Sequence, residues 1–372
     1  MKFSIGKSDF REVLSKVQGL TGRKTNLAIT ETVLITAHDD SVTVVATDLE
    51  TGFEGNYPAS VAAEGAIAIN AKKLHEIIRE FPADEIQIHE VENRWIEIRN
   101  ENVEYHIVGM NPEEFQQTPP IEEVTFYEAD AAALRRMIER IIIIAGAPDD
   151  KRPHIVGAYF EGVEGDNDRR IRLVSTDGSR LAKTEWVLPP EAAAPTGEGI
   201  LIPKKGLQEV SRFMGSGGTI HFGFQENHFI VQKGGETITI RLLEGDFPRY
   251  GDIIEREEGT PIEMDRQLFM MMLRRMSILV TEQYKGVIFE FGDNNLTITA
   301  TNPDIGESKE EMEIDYEAEP IEVAFNPRFF IDTLNVIEDE RVILNILDAR
   351  HPCIVRGESD ATYLSAIMPM KI

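Results

Sequence analysis

The chain of 372 residues contains the same succession of sequence patterns three times. Each copy begins with an amphipathic helical pattern, continues with a β-like run that ends in Thr-Asp or Thr-Asn, and closes with a second amphipathic helix. The helical faces begin at Phe10, Leu74, Leu134, Leu207, Phe269 and Phe330. The marker pairs between them are Thr47-Asp48, Thr176-Asp177 and Thr301-Asn302. The helices and the marker pairs occur in the same order and at similar spacings in every copy, which indicates three copies of one α+β unit.

Alternating apolar and polar residues fill the intervals between the helices and predict half-buried strands. Examples are Ser41–Val45 and Thr237–Ile240. We therefore predict an α+β protein of three repeated domains, residues 1–120, 122–249 and 250–372, each with two helices and antiparallel sheets.

Several features favour a cytoplasmic protein. No apolar run approaches the roughly 20 residues that a membrane span needs, and the start Met1–Ile5 lacks the apolar stretch of a signal peptide. The single cysteine, Cys353, excludes an intramolecular disulfide. We expect no membrane partner.

The charge is distributed unevenly. The whole chain has a formal net charge of −27, which taken alone argues against nucleic acid. However, six windows of 11 residues, one for each predicted helix, hold 16 Lys and Arg against 9 Asp and Glu, so the remainder of the chain is strongly acidic. The windows are residues 7–17, 71–81, 130–140, 204–214, 265–275 and 326–336. Lys and Arg are good helix formers, which offers a simpler explanation, but Glu is an equally good one. Basic helices gathered on one side would form a track for DNA.

The stretches that resemble catalytic motifs lack residues or spacings that those motifs require. The stretch Gly19–Thr25 lacks the spacing of a phosphate-binding loop, and His75–Arg79 has arginine where a zinc-protease helix needs its second histidine. We therefore expect no catalytic residue, no cofactor and no metal. The alternative to a DNA-binding function is an acidic protein-interaction scaffold that does not bind DNA.

The whole chain resembles the bacterial β sliding clamp, the processivity subunit of DNA polymerase III. The resemblance rests on the start Met1–Phe3, on Ala46–Glu50, on Ser175–Ala182, on Gly245–Tyr250 and on the end Ile367–Ile372. It implies a clamp of three domains that closes with a second copy, head to tail, into a ring of pseudo-sixfold symmetry. It also implies helices around the hole and a non-catalytic role.

A clamp needs loose, sequence-independent phosphate contacts that let it slide. The candidates for these contacts are basic residues on or near the helices, although each could also be a solvated surface charge. They are Lys24, Lys72, Lys73, Arg135, Arg136, Arg140, Arg152, Lys204, Lys205 and Arg212.

The resemblance also implies a pocket that receives a short linear peptide motif. Its expected partners are the replicative polymerase, the clamp loader, translesion polymerases and repair proteins. The positions that match the family pocket are Ile155, Thr176, Gly178, Ser179, Arg180, Leu181, Pro248, Ile253, Ala366, Met368, Pro369 and Met370. Methionine suits a surface that accepts many partners, although Met368–Met370 could equally close a sheet. Ser179 stands where the family often has His, and Asp252 where a basic residue is common, so partner preference could differ.

The resemblance places the contacts between the two copies at apolar positions of the first and third domains. Tyr105 and Ile107 would meet Ile278 and Leu279 of the second copy. Ordinary core packing is the alternative for each of these residues.

Overall fold

The computed structural model describes residues 1–21, 28–100, 102–116, 121–146, 150–165, 168–190, 192–193, 195, 197–254 and 259–371. It divides into two compact units. The first contains Met1–Arg135 and Lys205–Leu242, and the second contains Arg136–Lys204 and Leu243–Ile372.

The described residues contain three pairs of longer helices, as the repeat predicts, and two single-turn helices. They are α1 (Lys7–Thr21), α2 (Ala71–Glu80), α3 (Ala131–Ile142), α4 (Pro153–Val156), α5 (Lys204–Met214), α6 (Gly251–Ile254), α7 (Arg266–Met276) and α8 (Pro327–Val336). Phe10, Leu134 and Phe269 at the starts of the predicted apolar faces are buried, so the helical prediction is confirmed.

Four of the longer helices begin at a side-chain cap. An Asx oxygen accepts a hydrogen bond from a backbone N–H of the first turn, which satisfies a donor that the helix leaves open. The capping residues are Asn70, Asp130, Asp265 and Asn326.

The strands between these helices are antiparallel. In chain order they are β1 (Lys2–Gly6), β2 (Thr32–His38), β3 (Ser41–Thr47), β4 (Thr51–Pro58), β5 (Ser60–Ala63), β6 (Gly65–Asn70), β7 (Glu85–Glu90), β8 (Trp95–Arg99), β9 (Glu104–Val108), β10 (Phe126–Asp130), β11 (Gly157–Glu164), β12 (Arg169–Thr176), β13 (Arg180–Val187), β14 (Ile200–Pro203), β15 (Thr219–Gln225), β16 (His228–Lys233), β17 (Glu236–Arg241), β18 (Thr260–Asp265), β19 (Val287–Gly292), β20 (Asn295–Asn302), β21 (Gly306–Glu313), β22 (Ile321–Phe325), β23 (Arg341–Ile346), β24 (Cys353–Gly357) and β25 (Tyr363–Ile367).

Each unit contains one long sheet that crosses from one repeat into the next. In the first unit the order is β10-β15-β16-β17-β4-β3-β2-β6, and in the second it is β14-β11-β12-β13-β25-β24-β23-β18. The crossing pairs are β4 with β17 and β13 with β25. The smaller sheets have the orders β5-β1-β7-β8-β9 and β21-β20-β19-β22, so β9 and β21 are edge strands.

Candidate functional site

The second marker, Thr176-Asp177, forms a tight turn between β12 and β13. The amide of Gly178 donates to Thr176 Oγ1 at 3.1 Å, and the amides of Ser179 and Arg180 donate to Asp177 Oδ1 at 2.9 and 3.0 Å. The first repeat forms the same turn, in which Thr47 and Asp48 accept from the amides of Leu49, Glu50 and Thr51. The sequence repeat therefore encodes a repeated turn as well as repeated helices.

Gly178 leaves open space at this turn. Its φ of +89° lies in the region that favours glycine. A Cβ built there would lie 3.9 Å from both Ile155 Cδ1 and Arg152 Nη1. A ligand can therefore approach the backbone closely beside an apolar and a cationic side chain.

The β13–β25 pairing brings the carboxyl-terminal residues to this turn. Leu181 lies opposite Ala366, and the amide of Met368 donates to Ser179 O at 2.9 Å. Met370 is held by a hydrogen bond from its amide to Ala324 O at 2.8 Å. Met368 is exposed whereas Leu181 and Ala366 are buried, so a solvent-facing methionine stands beside an apolar floor.

Pro248 and Ile253 reach the same region on a segment, residues 247–254, that packs on the floor. Phe247, Tyr250 and Ile254 contact the buried cluster of Val174, Leu181 and Ala366. The Phe247 ring stacks on Tyr159 with centroids 5.1 Å apart. The Tyr250 hydroxyl bonds Glu161, and it accepts from Arg172 Nη1 at 2.9 Å.

Arg180, one of the predicted pocket residues, is buried. Its guanidinium donates to Asp177 at 3.0 Å and to Asp332 on α8 at 2.8 Å, and it lies 4.4 Å from the ring centre of Phe329. Because the buried Arg180 guanidinium bridges Asp177 of the turn and the partly exposed Asp332 of α8, it positions the turn against α8. Phe329 therefore contacts a predicted pocket residue, although it was not a candidate from the sequence, because its neighbour Phe330 carries the helical apolar pattern.

Arg152, predicted to contact DNA, lies at the rim of this pocket beside Gly178. It is exposed and forms a bidentate ion pair with Asp150, with contacts of 3.0 and 2.7 Å. The hydrogen bonds from Arg152 hold the pKa of Asp150 at about 2.

Ser179 and Asp252 are both exposed, so the two departures from the family pattern face solvent.

Four of the predicted DNA-contact residues are exposed on helices. They are Lys72 and Lys73 on α2, Arg136 on α3 and Arg212 on α5. Arg135 is half-buried and donates to Gly215 O at 2.8 Å. Lys24 lies outside the described residues.

Arg140, Lys204 and Lys205 depart from the prediction because their side chains have partners inside the protein. Arg140 is buried, donates to Asp360 at 2.6 Å and lies over the Tyr363 ring. Lys204 donates to Ala145 O at 2.7 Å, and burial followed by the charge of Arg180 lowers its pKa. Lys205 is ion-paired with Asp48. Helical periodicity did not reveal these partners, which come from distant parts of the chain.

Arg140 has an equivalent in each repeat. Counting from the first apolar residue of the first helix, Lys16 and Arg275 occupy the same position. Lys16 donates to Glu236 of the second repeat at 2.7 Å, just as Arg140 binds Asp360 of the third. These two cations therefore tie one repeat to the next across the β4–β17 and β13–β25 pairings.

Further exposed cations lie on the helices, and the sequence analysis did not select them. They are Arg11, Arg79, Arg274, Arg275 and Arg328. The repeat itself offered a signal for one of these residues, because Arg328 occupies the position of Lys72 and Lys205 before the second helical face. Each longer helix that the structure describes thus exposes at least one cation.

The residues predicted to join two copies lie on or next to free edges. Tyr105 and Ile107 are on the edge strand β9, and Ile278 and Leu279 form a 3-10 turn after α7. Ile278 is 74% exposed and Tyr105 is 40% exposed, so core packing does not account for these two residues. Ile107 and Leu279 are partly buried.

Two clusters within the described ranges have a geometry that could hold a metal ion. They are His38, Asp39 and Glu64, and Glu97, Glu104 and His106. Both are largely exposed, and no second feature points to an ion. Among the described residues we find no helix with the length and apolar character needed to cross a membrane.

Three domain models of one family match the chain in order. The N-terminal domain model of the DNA polymerase III beta subunit matches residues 1–119, the central domain model matches 128–249, and the C-terminal domain model matches 252–371.

Relatives and solved structures of the same kind match over the full length. The beta sliding clamps of Chlamydia pneumoniae and Pseudomonas putida are both 27% identical, and each match covers 100% of this chain and 99% or 100% of the relative. The crystal structure of the Pseudomonas aeruginosa sliding clamp with ligand is 26% identical, with a TM-score of 0.91 and full coverage of both chains. The Caulobacter crescentus clamp, at 24% identity and full coverage, shares the fold with a TM-score of 0.94. Since all three domain models follow one another along it, the chain belongs to the DNA polymerase III beta subunit family, the sliding clamps that act as non-catalytic processivity factors of DNA replication.

Proposed function

We propose that this chain pairs head to tail with a second copy in the cytoplasm to form a closed ring that slides along duplex DNA. The replicative polymerase, the clamp loader, translesion polymerases and repair proteins would bind through the predicted pocket. This pocket lies where the turn at Thr176 meets the carboxyl-terminal residues Met368–Met370. Processivity would then come from the topological link to DNA, and the phosphate contacts need only be weak.

The proposal rests on the strand pairings that join one repeat to the next, which we call junctions. Within the part of the chain that the structure describes, one copy forms two such junctions and leaves the two strands of a third without a partner. The strand after the marker turn of the first repeat, β4, pairs with the last strand of the second repeat, β17. In the same way, β13 pairs with β25 of the third repeat. The remaining equivalents are β21 and β9, and both are free edges. A second copy can supply the missing partner at both ends, which closes a head-to-tail contact into a ring.

The helical cations that reach solvent are the proposed DNA contacts. Among the described residues they are Lys72, Lys73, Arg135, Arg136 and Arg212 of the predicted set, and also Arg11, Arg79, Arg274 and Arg328. Lys24 stays a candidate from the sequence alone, because it lies outside the described residues. Such cations can contact phosphates through water and exchange rapidly as the ring moves. We leave out Arg140 because its guanidinium is buried against Asp360, and we assign Arg152 to the rim of the pocket.

Retention on circular DNA tests the ring. We expect the chain to behave as a dimer and, once placed on nicked circular DNA by a clamp loader, to remain through gel filtration. Cutting the circle once should release it. Equal retention on circular and linear DNA, or a monomer at micromolar concentration, would contradict the proposal. An acidic scaffold would bind neither form.

Griselimycin provides a probe for the pocket, since a Pseudomonas aeruginosa clamp that is 25% identical has been solved bound to it. We expect Gly178→Val to abolish griselimycin binding in calorimetry, because the side chain would fill the space beside Ile155. Gly218→Val is the matched control, since Gly218 also has positive φ (+100°) but lies before β15. Equal losses in both variants would attribute the effect to backbone strain and would refute the site.

A further inference from the structure

We infer that the two free edges meet in a defined register that places Glu104 of one copy opposite Lys309 of the other. This inference rests on the proposed ring and specifies how its interface is held. It follows from the two junctions that the chain completes by itself.

Each completed junction contains one continuous row of paired residues. In the first, Ala46 on β3 lies opposite Phe53 on β4, which lies opposite Ile238 on β17. In the second, Ser175 lies opposite Ala182, which lies opposite Ser365. Both rows start at the residue before the marker threonine, so the register is the same in both junctions.

The third row is present in two halves. On one side, Ala300 precedes the marker Thr301 and lies opposite Ser308 on β21. On the other side, Tyr105 occupies the place of Ile238 and Ser365, because the buried residues behind it pair in the same order. In the first repeat, Ile88 lies opposite Ile98, which lies opposite Tyr105. The corresponding residues are Phe222, Val231 and Ile238 in the second repeat and Leu344, Val355 and Ser365 in the third.

Joining the halves places Tyr105 opposite Ser308 of the second copy. Because the other two junctions are antiparallel, Glu104 then lies opposite Lys309, and His106 lies opposite Glu307.

The faces of the two strands agree with this register. The Tyr105 ring lies 6.4 Å from that of Phe81, at the end of α2, and Glu310 binds Arg275 of α7. The helix-bearing face of β9 thus carries Tyr105, and that of β21 carries Ser308 and Glu310. Glu104 and Lys309 both lie on the opposite face. A slip of one residue would reverse the match.

Lys309 supplies a positive charge opposite Glu104 and so reduces the repulsion between two acidic strand edges. On its face of β21 its neighbours are Glu307, Glu311 and Glu313, so without it acidic residues would face Glu104. Within one chain, Lys309 is paired with Glu311 at 2.8 Å, and Glu104 lies 2.5 Å from His106. Both side chains are more than half exposed, so each can turn toward a cross-strand partner.

A charge exchange tests the pair. We expect Lys309→Glu to raise the dimer Kd at least about fivefold at low ionic strength, since the change acts at both interfaces of the ring. The double variant Lys309→Glu with Glu104→Lys should return to the wild-type Kd or bind more tightly. The control is Lys309→Glu with Glu85→Lys, which has the same net charge and alters an exposed residue on β7, two strands from the edge.

Sedimentation equilibrium measures the dimer Kd of the wild type and of the three variants, and circular dichroism verifies folding. Restoration by Glu104→Lys alone supports the register. A Lys309→Glu dimer as tight as wild type, or equal restoration by Glu85→Lys, overturns it while leaving the ring intact. A wild-type chain that stays monomeric refutes the proposed ring itself.

Discussion

Arg140→Ala, compared with Arg136→Ala, distinguishes a cation that links two repeats from one that we propose contacts DNA. The two residues lie one helical turn apart on α3, but the side chain of Arg140 is 7% exposed and that of Arg136 is 60% exposed. Arg140 donates to Asp360 at 2.6 Å and to Thr362 at 3.2 Å, and its guanidinium lies 5.5 Å from the ring centre of Tyr363.

The expected cost follows from these interactions. Removing one partner of a buried ion pair costs about 3–5 kcal/mol. Asp360 keeps 26% exposure, so water can partly rehydrate its carboxylate, and we expect a cost of about 2–3 kcal/mol. For a unit of this size that corresponds to a fall in Tm of roughly 5–10 °C. Arg136→Ala should lower Tm by less than about 2 °C, because its carboxylate partner lies 3.9 Å away at the surface.

DNA binding should respond in the opposite way. In salt titrations with a short primed duplex, Arg136→Ala should reduce the slope of log K against log salt by about one for each phosphate that the variant no longer neutralises. Arg140→Ala should leave that slope unchanged under conditions where the variant is folded. An unchanged Tm together with a reduced slope for Arg140→Ala would refute the assignment.

Three further outcomes can be checked. Lys16→Ala should lower Tm by less than Arg140→Ala, because Lys16 is a quarter exposed although it makes the equivalent bond to Glu236. In thermal melts, the gap in Tm between wild type and Arg140→Ala should persist at neutral pH and narrow below about pH 4. Burial alone would raise the pKa of Asp360, but its bonds with Thr362 and Arg140 outweigh burial and lower it, so its contribution is lost only as the pH falls through that lowered value. Tyr250→Phe should lower stability by about 1–2 kcal/mol in urea unfolding and should weaken pocket ligands severalfold in calorimetry, because the variant lacks the hydroxyl that anchors residues 247–254 to Glu161 and Arg172.

Local patterns predicted the helices because a helix depends on residues close in sequence, and the repeated turn that the structure shows at the marker pairs is equally local. The apolar faces that start at Phe10 and Leu134 are buried as expected. Thr176 and Asp177 hold their turn through hydrogen bonds to residues no more than four positions away. The same reasoning applies to the helix caps at Asn70 and Asp265.

Long-range interactions account for what the sequence analysis missed. Arg136 and Arg140 look alike on a helical projection, yet only Arg140 meets a carboxylate more than two hundred positions away at bonding distance inside the protein. Arg152 has the sequence character of a phosphate contact, but the fold places it beside Gly178. The Phe329 ring likewise contacts the predicted pocket residue Arg180 only because the fold brings the two together.

The sequence by itself determined three copies of one α+β unit, the helices that carry the cations, and the resemblance to the sliding clamps. Periodicity and short-range hydrogen bonding are written in neighbouring residues, so they can be read without the fold. Only the tertiary structure decided which cations pair with internal carboxylates and which strand edges are left unpaired, since both depend on residues that the chain brings together from distant positions. The pairing of β4 with β17 and of β13 with β25 leaves β9 and β21, the equivalent strands of the third junction, without such a partner among the described residues.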